Sequence, residues 1–176
     1  MSTTGAATGH DEFERHSRRV LWALPTGLYL VGSRFEEAAN LMTANLVVQV
    51  CLQPKLVAVA LEAGSVTAGL VAKGRAFSLS LLARGDRDVV RRFVKPVVDI
   101  GRDPEGVITS MAGHAVLEAG PHRLPILTAA TSHVICALTE QHALGSHSLC
   151  IGEVVEVGGE PADVLRMEDT RMHYGG

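Results

Sequence analysis

The stretch "AANLMTANLVVQVCLQPKLVAVALE", Ala38 to Glu62, holds two apolar runs separated by a polar, proline-containing segment. Residues 38–50 and 55–62 are rich in β-branched and aliphatic side chains, so they predict two strands joined by a turn at 52–55. The first strand contains a polar patch at 40–45, where a strand would otherwise bury apolar side chains. That patch indicates a site rather than plain core.

The segment after the second strand, "AGSVTAGLVAKG" at 63–74, predicts a helix that begins near Ser65. Gly64 permits a turn, Ser65 stands at the N-cap position, and the first-turn amides have no intrahelical partners. Those amides, the positive end of the helix dipole and the hydroxyls of Ser65 and Thr67 suit a phosphate monoester. The alternative is that Ser65 only caps the helix.

If the two strands pair antiparallel across the turn, the polar patch at 40–45 and the Ser65–Thr67 segment lie at the same end of the sheet. One elongated ligand can then contact both. A planar, hydrogen-bonding ring with a phosphate at its far end fits this arrangement.

The rest of the chain adds four strand patterns and two helical ones. The strands are predicted at 27–33, 76–83, 133–140 and 148–157, and the helices at 13–24 and 86–94. Residues 95–122 predict only a loop with one short strand, and residues 1–11 a mobile tail ahead of one domain at 12–176. Because helices are few and do not alternate with strands, we expect a mainly β, antiparallel barrel with short helical connections.

Composition narrows the class of partner. The 176 residues carry a formal net charge of −3, which gives no basic field for nucleic acid or an anionic membrane. The three cysteines are widely spaced and form no C-x-x-C pair, which predicts reduced thiols. No apolar stretch reaches the roughly 18 residues of a membrane helix. We therefore expect a cytoplasmic protein whose partners are small molecules.

Motifs for other kinds of chemistry are absent from the sequence. His142 and His147 are five residues apart, a spacing suited to metal ligation neither on a helix nor on a strand, and no H-E-x-x-H occurs. No G-x-S-x-G, G-x-G-x-x-G or P-loop pattern is present. Arg87, Arg91 and Lys95 recur at helical spacing, which most simply indicates a solvated helix face, with the anchoring of a phosphate as the alternative. The sequence thus predicts a binding constellation without a protein nucleophile or a metal.

The order of motifs along nearly the whole chain resembles the flavin reductase-like, flavin mononucleotide (FMN)-binding split-barrel family. "TGLYLVGS" is similar to the family's opening strand, "NLMTANLVVQVCLQPKLVAVAL" to its Asn-x-Met-Thr-Ala-Ser-x-x-x-Gln core, and "GSVT" to its Ser-x-Thr phosphate segment. "VVRRFV", "GSHSLCIGEVVEV" and "HYGG" are similar to its Arg-Phe helix end, its Gly-x-His strand and its closing Tyr-Gly. The resemblance implies an antiparallel split β-barrel of Greek-key type with a few short peripheral helices.

The resemblance also implies the residues that bind the cofactor. Thr43, Ala44 and Asn45 line the edge of the isoalloxazine ring, and Asn40 and Met42 are supporting contacts. Asn45 stands where the family usually has Ser, so this side chain keeps the ability to donate and accept hydrogen bonds.

Three further groups of residues follow from the same resemblance. They are the phosphate segment Ser65 and Thr67, the nicotinamide-side residues His147 and Tyr174, and the helix-end residues Arg92 and Phe93. For His147 a merely satisfied or exposed histidine is the alternative. For Arg92 and Phe93 the alternative to a phosphate contact is a helix face packed on the barrel.

The activity that the resemblance implies is hydride transfer from NADH or NADPH to flavin, with FMN expected and flavin adenine dinucleotide (FAD) also open. The cofactor carries that chemistry, while the protein binds and orients. A homodimer is implied, as is delivery of reduced flavin to a partner monooxygenase. Two alternatives are an FMN-binding electron carrier or sensor that oxidises no nicotinamide, and a non-catalytic split-barrel interaction module.

Overall fold

The computed structural model describes residues 4–160, 162–170 and 172, and most of its regular structure is β. The eleven strands are β1 Tyr29–Phe35, β2 Ala38–Ala44, β3 Val47–Cys51, β4 Leu56–Glu62, β5 Ala76–Leu81, β6 Ile100–Arg102, β7 Ile108–Met111, β8 His114–Ala119, β9 Leu124–Leu127, β10 Ser132–Leu144 and β11 His147–Gly159. The helices are α1 Thr4–Trp22, α2 Val66–Gly74 and α3 Arg87–Val90, with 3₁₀ turns at Arg91–Phe93 and Met167–Asp169.

Seven strands form one antiparallel sheet in the order β2-β1-β5-β10-β11-β4-β3. Its edge strands β2 and β3 are joined by only Asn45 and Leu46. A flat sheet of this size would hold its edges about 29 Å apart, since neighbouring strands are ~4.8 Å apart. The three residue steps from Ala44 to Val47 span at most about 11 Å. The sheet therefore curls into a barrel that is split between β2 and β3, which confirms the predicted fold class.

The predicted strand at 38–50 is in fact two strands. It breaks at Asn45 and Leu46, because β2 pairs with β1 whereas β3 pairs with β4 at the opposite edge of the sheet. The predicted antiparallel pairing across the turn at 52–55 is confirmed for β3 and β4, with Val47 opposite Val59. The polar patch thus lies at the split itself.

The barrel interior holds one apolar core. Val31, Leu61, Phe77 and Leu79 are buried together there, and α2 contributes Val71 to the same cluster. The opposite faces of β1 and β2 bury Leu30 and Leu41 in a second core outside the barrel, which we call the outer core. Because both faces of these strands are covered, neither strand shows a simple alternation of buried and exposed residues.

A second sheet, in the order β6-β7-β8-β9, covers that outer core. The prediction of a loop with one short strand for 95–122 was wrong, because three strands lie there. They are only three to six residues long, too short for a clear alternating pattern. The β7–β8 hairpin also turns through Ala112 and Gly113, both with positive φ, where Asn-Gly or Asp-Gly is the usual signal.

Helix α1 begins at Thr4, earlier than the predicted start at residue 13. Residues 4–12 carry small and polar side chains, so they show no amphipathic pattern, yet Ala and Glu favour helix. A flexible tail at 1–11 and a domain boundary at residue 12 stay predictions. Within the described residues, every helix is too short or too polar to cross a bilayer.

Candidate active site

A cavity of about 660 Å³ opens at the split of the barrel. Most of its lining surface is apolar, with several polar groups among it, as is usual for small-molecule sites. Its walls are Met42, Thr43, Ala44, Asn45 and Leu46 at the split, Ala60 and Glu62 of β4, Ser146 and His147 at the β10–β11 turn, Arg18, Leu21, Trp22 and Leu24 of α1 and the residues after it, and Thr26 and Met167.

The inner wall of the cavity is the end of β2. Thr43 is fully buried, and its Oγ1 donates a hydrogen bond of 2.6 Å to the carbonyl oxygen of Val90. This bond ties the wall to α3, so the backbone of Thr43, Ala44 and Asn45 is held in place. Met42 and Asn45 are only partly buried and offer side chains to the cavity.

Asn40 and Thr67 lie behind this wall, and both are buried. The Nδ2 of Asn40 donates to the Thr67 hydroxyl at 2.9 Å, while its Oδ1 accepts from the Val97 amide at 2.8 Å. One amide side chain therefore connects β2, α2 and the segment after α3. The two polar patches of the sequence do meet, through this buried bond.

Ser65 caps helix α2, since its Oγ accepts a hydrogen bond of 3.2 Å from the Ala68 amide. Neither Ser65 nor Thr67 borders the cavity. Thr67 is fully buried and already bonded to Asn40, so its hydroxyl is not presented to a ligand. The phosphate-binding role of this segment stays a prediction that rests on the α2 amides and on Ser65.

The wall opposite β2 is built by β4 and the β10–β11 hairpin. His147 pairs with Glu62 in the β4–β11 ladder, so both side chains reach the cavity together. The Ser146 hydroxyl lies 2.9 Å from Nδ1 of His147. Because Ser146 engages Nδ1, the ring is held with Nε2 as its remaining polar atom.

Arg92 and Phe93 lie away from the cavity. The Phe93 side chain is fully buried in the outer core, with its ring 5.7 Å from that of His114. Arg92 is exposed on the 3₁₀ turn that precedes Val94. This placement matches the alternative of a helix face packed on the barrel. Tyr174 lies outside the described residues.

Sequence reasoning missed several residues of the cavity. Arg18, Trp22 and Leu24 come from the N-terminal helix and the turn after it, Glu62 from the end of β4, and Met167 from the C-terminal segment. That segment returns to the barrel through the Gly27–Arg166 and Ala83–Val164 bridges. Trp22, as the single tryptophan of the chain, was the one sequence signal that could have pointed to α1.

Nucleophilic and metal chemistry find no support among the residues described. Burial raises the pKa of the Cys136 thiol to about 12 and that of Cys150 to about 11, so both are neutral thiols in the barrel core. Burial likewise raises the pKa of the Tyr29 hydroxyl. Across residues 4–160, 162–170 and 172, no group of three or more His, Cys, Asp or Glu side chains is placed to hold a metal ion.

The donor set of the cavity fits a flavin. Apolar side chains such as Trp22, Leu46 and Met167 can pack on the faces of a planar ring. Asn45 and the backbone at the end of β2 offer hydrogen-bonding groups at one edge. His147 stands on the opposite wall. The volume of about 660 Å³ lies within the range of 300–1,000 Å³ usual for such ligands.

Comparisons with known proteins agree with this geometry. An NADPH-flavin oxidoreductase of Streptomyces viridifaciens is 29% identical over 98% of this chain and 89% of its own length. An NADH-dependent FAD reductase of Streptomyces globisporus is 28% identical over 82% of this chain and 76% of its own length. The solved structure of an NADH:FAD oxidoreductase from S. globisporus shares the fold, with a TM-score of 0.75, 23% identity and 94% of each chain covered.

A family model described as the flavin reductase like domain matches residues 21–175. This match spans the split barrel, all of the cavity walls except Arg18, and nearly all of the motifs quoted above. It confirms the resemblance drawn from the sequence. The chain belongs to the family of proteins with a flavin reductase like domain.

Proposed function

We propose that this protein is an NAD(P)H-dependent flavin reductase that binds flavin in the cavity at the split of the barrel. The observation that carries the proposal is the meeting of Met42–Asn45 and His147 in one cavity. These residues are about a hundred positions apart in sequence, and a resemblance in sequence motifs alone does not require them to meet. The curated relatives act on flavins with NADPH or NADH.

Bound flavin supplies the chemistry of accepting a hydride. The overall reaction consumes one reduced nicotinamide nucleotide, one oxidised flavin and one proton, and yields one oxidised nicotinamide nucleotide and one reduced flavin. The end of β2 holds the ring edge with backbone and Asn45 groups, and amide donors there favour the negative charge that reduction brings to the ring. His147 and the apolar walls orient the nicotinamide and exclude water.

Flavin binding at this cavity is tested by filling it. Ala60→Phe places a ring in the cavity, and the expected result is a loss of FMN affinity of roughly tenfold or more, since an overfilled site costs about 1–3 kcal/mol. Ala143→Phe, at an exposed position outside the cavity, is the matched control and should bind FMN as the wild type does. Equal affinity in both variants refutes the site.

The activity itself is tested by steady-state oxidation of NADH and NADPH with added FMN or FAD. We expect turnover with at least one nicotinamide nucleotide and tighter binding of FMN than of FAD. The preference for FMN is supported by the FMN-type motifs of the sequence. A protein that binds FMN but oxidises neither nucleotide is an electron carrier or sensor, and one that binds no flavin is an interaction module. Either result refutes the proposal.

We further propose a homodimer that forms on strand β3. This edge strand and the residues that flank it expose four apolar side chains, Leu46, Val48, Val50 and Leu52, with Val48 59% and Leu52 78% exposed. An exposed apolar edge of this kind normally has a partner. A second copy is the occupant supported here, because Leu46 belongs both to this edge and to the cavity, and the family resemblance implies a dimer.

The dimer is tested by sedimentation at micromolar concentration with FMN present. Val48→Asp puts a charge among the four apolar side chains and should yield monomers. Gln49→Asp, the neighbouring position on the same strand, is the control and should leave the dimer intact. A monomeric wild-type protein contradicts this part of the account.

We also propose a partner enzyme and a location in the cell. Reduced flavin released from the site would serve a partner monooxygenase, which is tested by coupling flavin reduction to such an enzyme in one reaction. A cytoplasmic location is supported by the three cysteines, all of which are free thiols.

A further inference from the structure

Helix α1 is attached to the molecule in an unusual way. From residue 9 to its end at Trp22, every residue except Ser17 is exposed, including the apolar Phe13 and Val20. Only the last turn and a half borders the cavity, through Arg18, Leu21 and Trp22. The helix therefore contributes described side chains to the cavity wall rather than to either apolar core.

The cavity has a buried side and a solvent side. Thr43 is 0% and Ala44 4% exposed on the β2 wall, whereas Leu21 is 61% and Trp22 39% exposed on the α1 wall. A ligand held against β2 would lie deep in the cavity. A second ligand stacked on the first would lie against α1.

Arg18 is the one Lys or Arg side chain among the cavity walls that the structure describes, and Glu62 is the one carboxylate there. In the described part of the chain, no ion pair or hydrogen bond engages the Arg18 guanidinium, although Glu14 lies one turn earlier on the same helix. A cation without a protein partner at the mouth of an apolar cavity suits an anionic ligand.

The charge of the whole protein makes this residue important. With a formal net charge of −3, the protein repels an anionic nucleotide at long range. A nicotinamide dinucleotide carries a diphosphate, and arginine binds phosphate oxygens through paired N–H donors. Arg18 supplies the one positive side chain with which the described cavity walls can offset that repulsion.

We propose that Arg18 binds the diphosphate of the reduced nicotinamide dinucleotide at the solvent side of the cavity, so that α1 is part of the co-substrate site. This inference rests on the proposed function. The flavin lies against β2, and the nicotinamide nucleotide lies between it and α1, with its diphosphate at Arg18. The N-terminal helix thereby selects for a phosphorylated co-substrate.

The experiment compares Arg18→Gln with Arg19→Gln. Both variants remove one positive charge from adjacent exposed positions of α1, but Arg19 does not border the cavity. Binding of NAD⁺ and NADP⁺ to the FMN-loaded protein is measured by calorimetry, and KM and kcat by steady-state oxidation. For Arg18→Gln we expect the dissociation constant and KM to rise roughly tenfold or more, because a charge-assisted bond is lost. We expect Arg19→Gln to change both by less than twofold.

Two flavins test whether Arg18 binds the phosphate of the flavin or the diphosphate of the nicotinamide dinucleotide. Riboflavin and FMN differ only in the flavin phosphate, and both should bind Arg18→Gln as tightly as they bind the wild type. If FMN but not riboflavin loses affinity, Arg18 binds the flavin phosphate and the inference is overturned. It is also overturned if Arg18→Gln and Arg19→Gln behave alike while the wild type is active. A wild type that neither binds flavin nor oxidises NAD(P)H refutes the proposed function instead.

Discussion

The hydrogen bond between Asn40 and Thr67 gives a quantitative test of how the site wall is built. Asn40 donates to Thr67 at 2.9 Å and accepts from the Val97 amide at 2.8 Å, with both side chains buried. Asn40→Leu keeps the shape of the side chain but leaves the Thr67 hydroxyl and the Val97 amide unpaired. Each unpaired buried group costs about 1–3 kcal/mol, so we expect a loss of about 2–6 kcal/mol in the free energy of unfolding.

The partner variant Thr67→Val removes only the first bond and should cost about 1–3 kcal/mol, because it leaves the Asn40 amide without its acceptor. In the double variant only the Val97 amide remains unpaired. Its cost should therefore be smaller than the sum of the two single costs, by a coupling energy of about 0.5–3 kcal/mol. The free energies of unfolding of the two single variants and the double variant are measured by urea denaturation, which is followed by circular dichroism. They can be compared where the variants share one m-value.

The same variants show whether these side chains only support the cavity wall or also contact the bound FMN. Since both side chains lie behind the cavity wall, we expect folded Thr67→Val protein to bind FMN within about threefold of the wild type, which is under 1 kcal/mol. Additive unfolding energies in the double variant would refute the reasoning about the buried bond. A large loss of FMN affinity in stable Thr67→Val protein would place the hydroxyl in the binding site.

Two other outcomes follow from the barrel core. In Gly152→Ala the new Cβ would lie 2.7 Å from Cε1 of Phe77 and 2.8 Å from Cβ of Cys136. We therefore expect the free energy of unfolding, measured by thermal melts, to fall by about 1–3 kcal/mol. A variant with the wild-type melting temperature would contradict this. Native protein at pH 8 should react with one equivalent of a thiol reagent, at Cys51, since burial raises the pKa of Cys136 and Cys150 to about 12 and about 11. Rapid reaction of three thiols would show that the core opens readily.

Much of the barrel could be predicted from the sequence because its strands are apolar runs bounded by polar or glycine-containing segments. The strands near 27–33, 55–62 and 76–83 were placed within a few residues of β1, β4 and β5. The second sheet could not be predicted, since its strands are short and its hairpin turns through Ala112. The break at Asn45 and Leu46 follows from closure of the sheet, which local patterns do not encode.

The residues of the candidate site also fall into those that the sequence predicts and those that it does not. Motifs predict Met42–Asn45 and His147, and the structure places them among the walls of one cavity, while their contact with a cofactor stays a prediction. Arg18 and Glu62 were not found, because they reach the cavity only through the tertiary positions of α1 and β4. The role of Ser65 in phosphate binding stays a prediction. Its side chain caps α2, and a capping serine has the same sequence pattern as a phosphate-binding one.

The most direct measurement of where flavin binds uses Trp22, the single tryptophan of the chain, which borders the cavity. FMN is titrated into the protein while the tryptophan fluorescence lifetime is recorded, a readout that is insensitive to absorption by free FMN. We expect saturable shortening of the lifetime at one FMN per chain, and Ala60→Phe should weaken this effect and FMN binding in parallel. Stoichiometric FMN binding by equilibrium dialysis with an unchanged Trp22 lifetime would contradict the placement of flavin in this cavity.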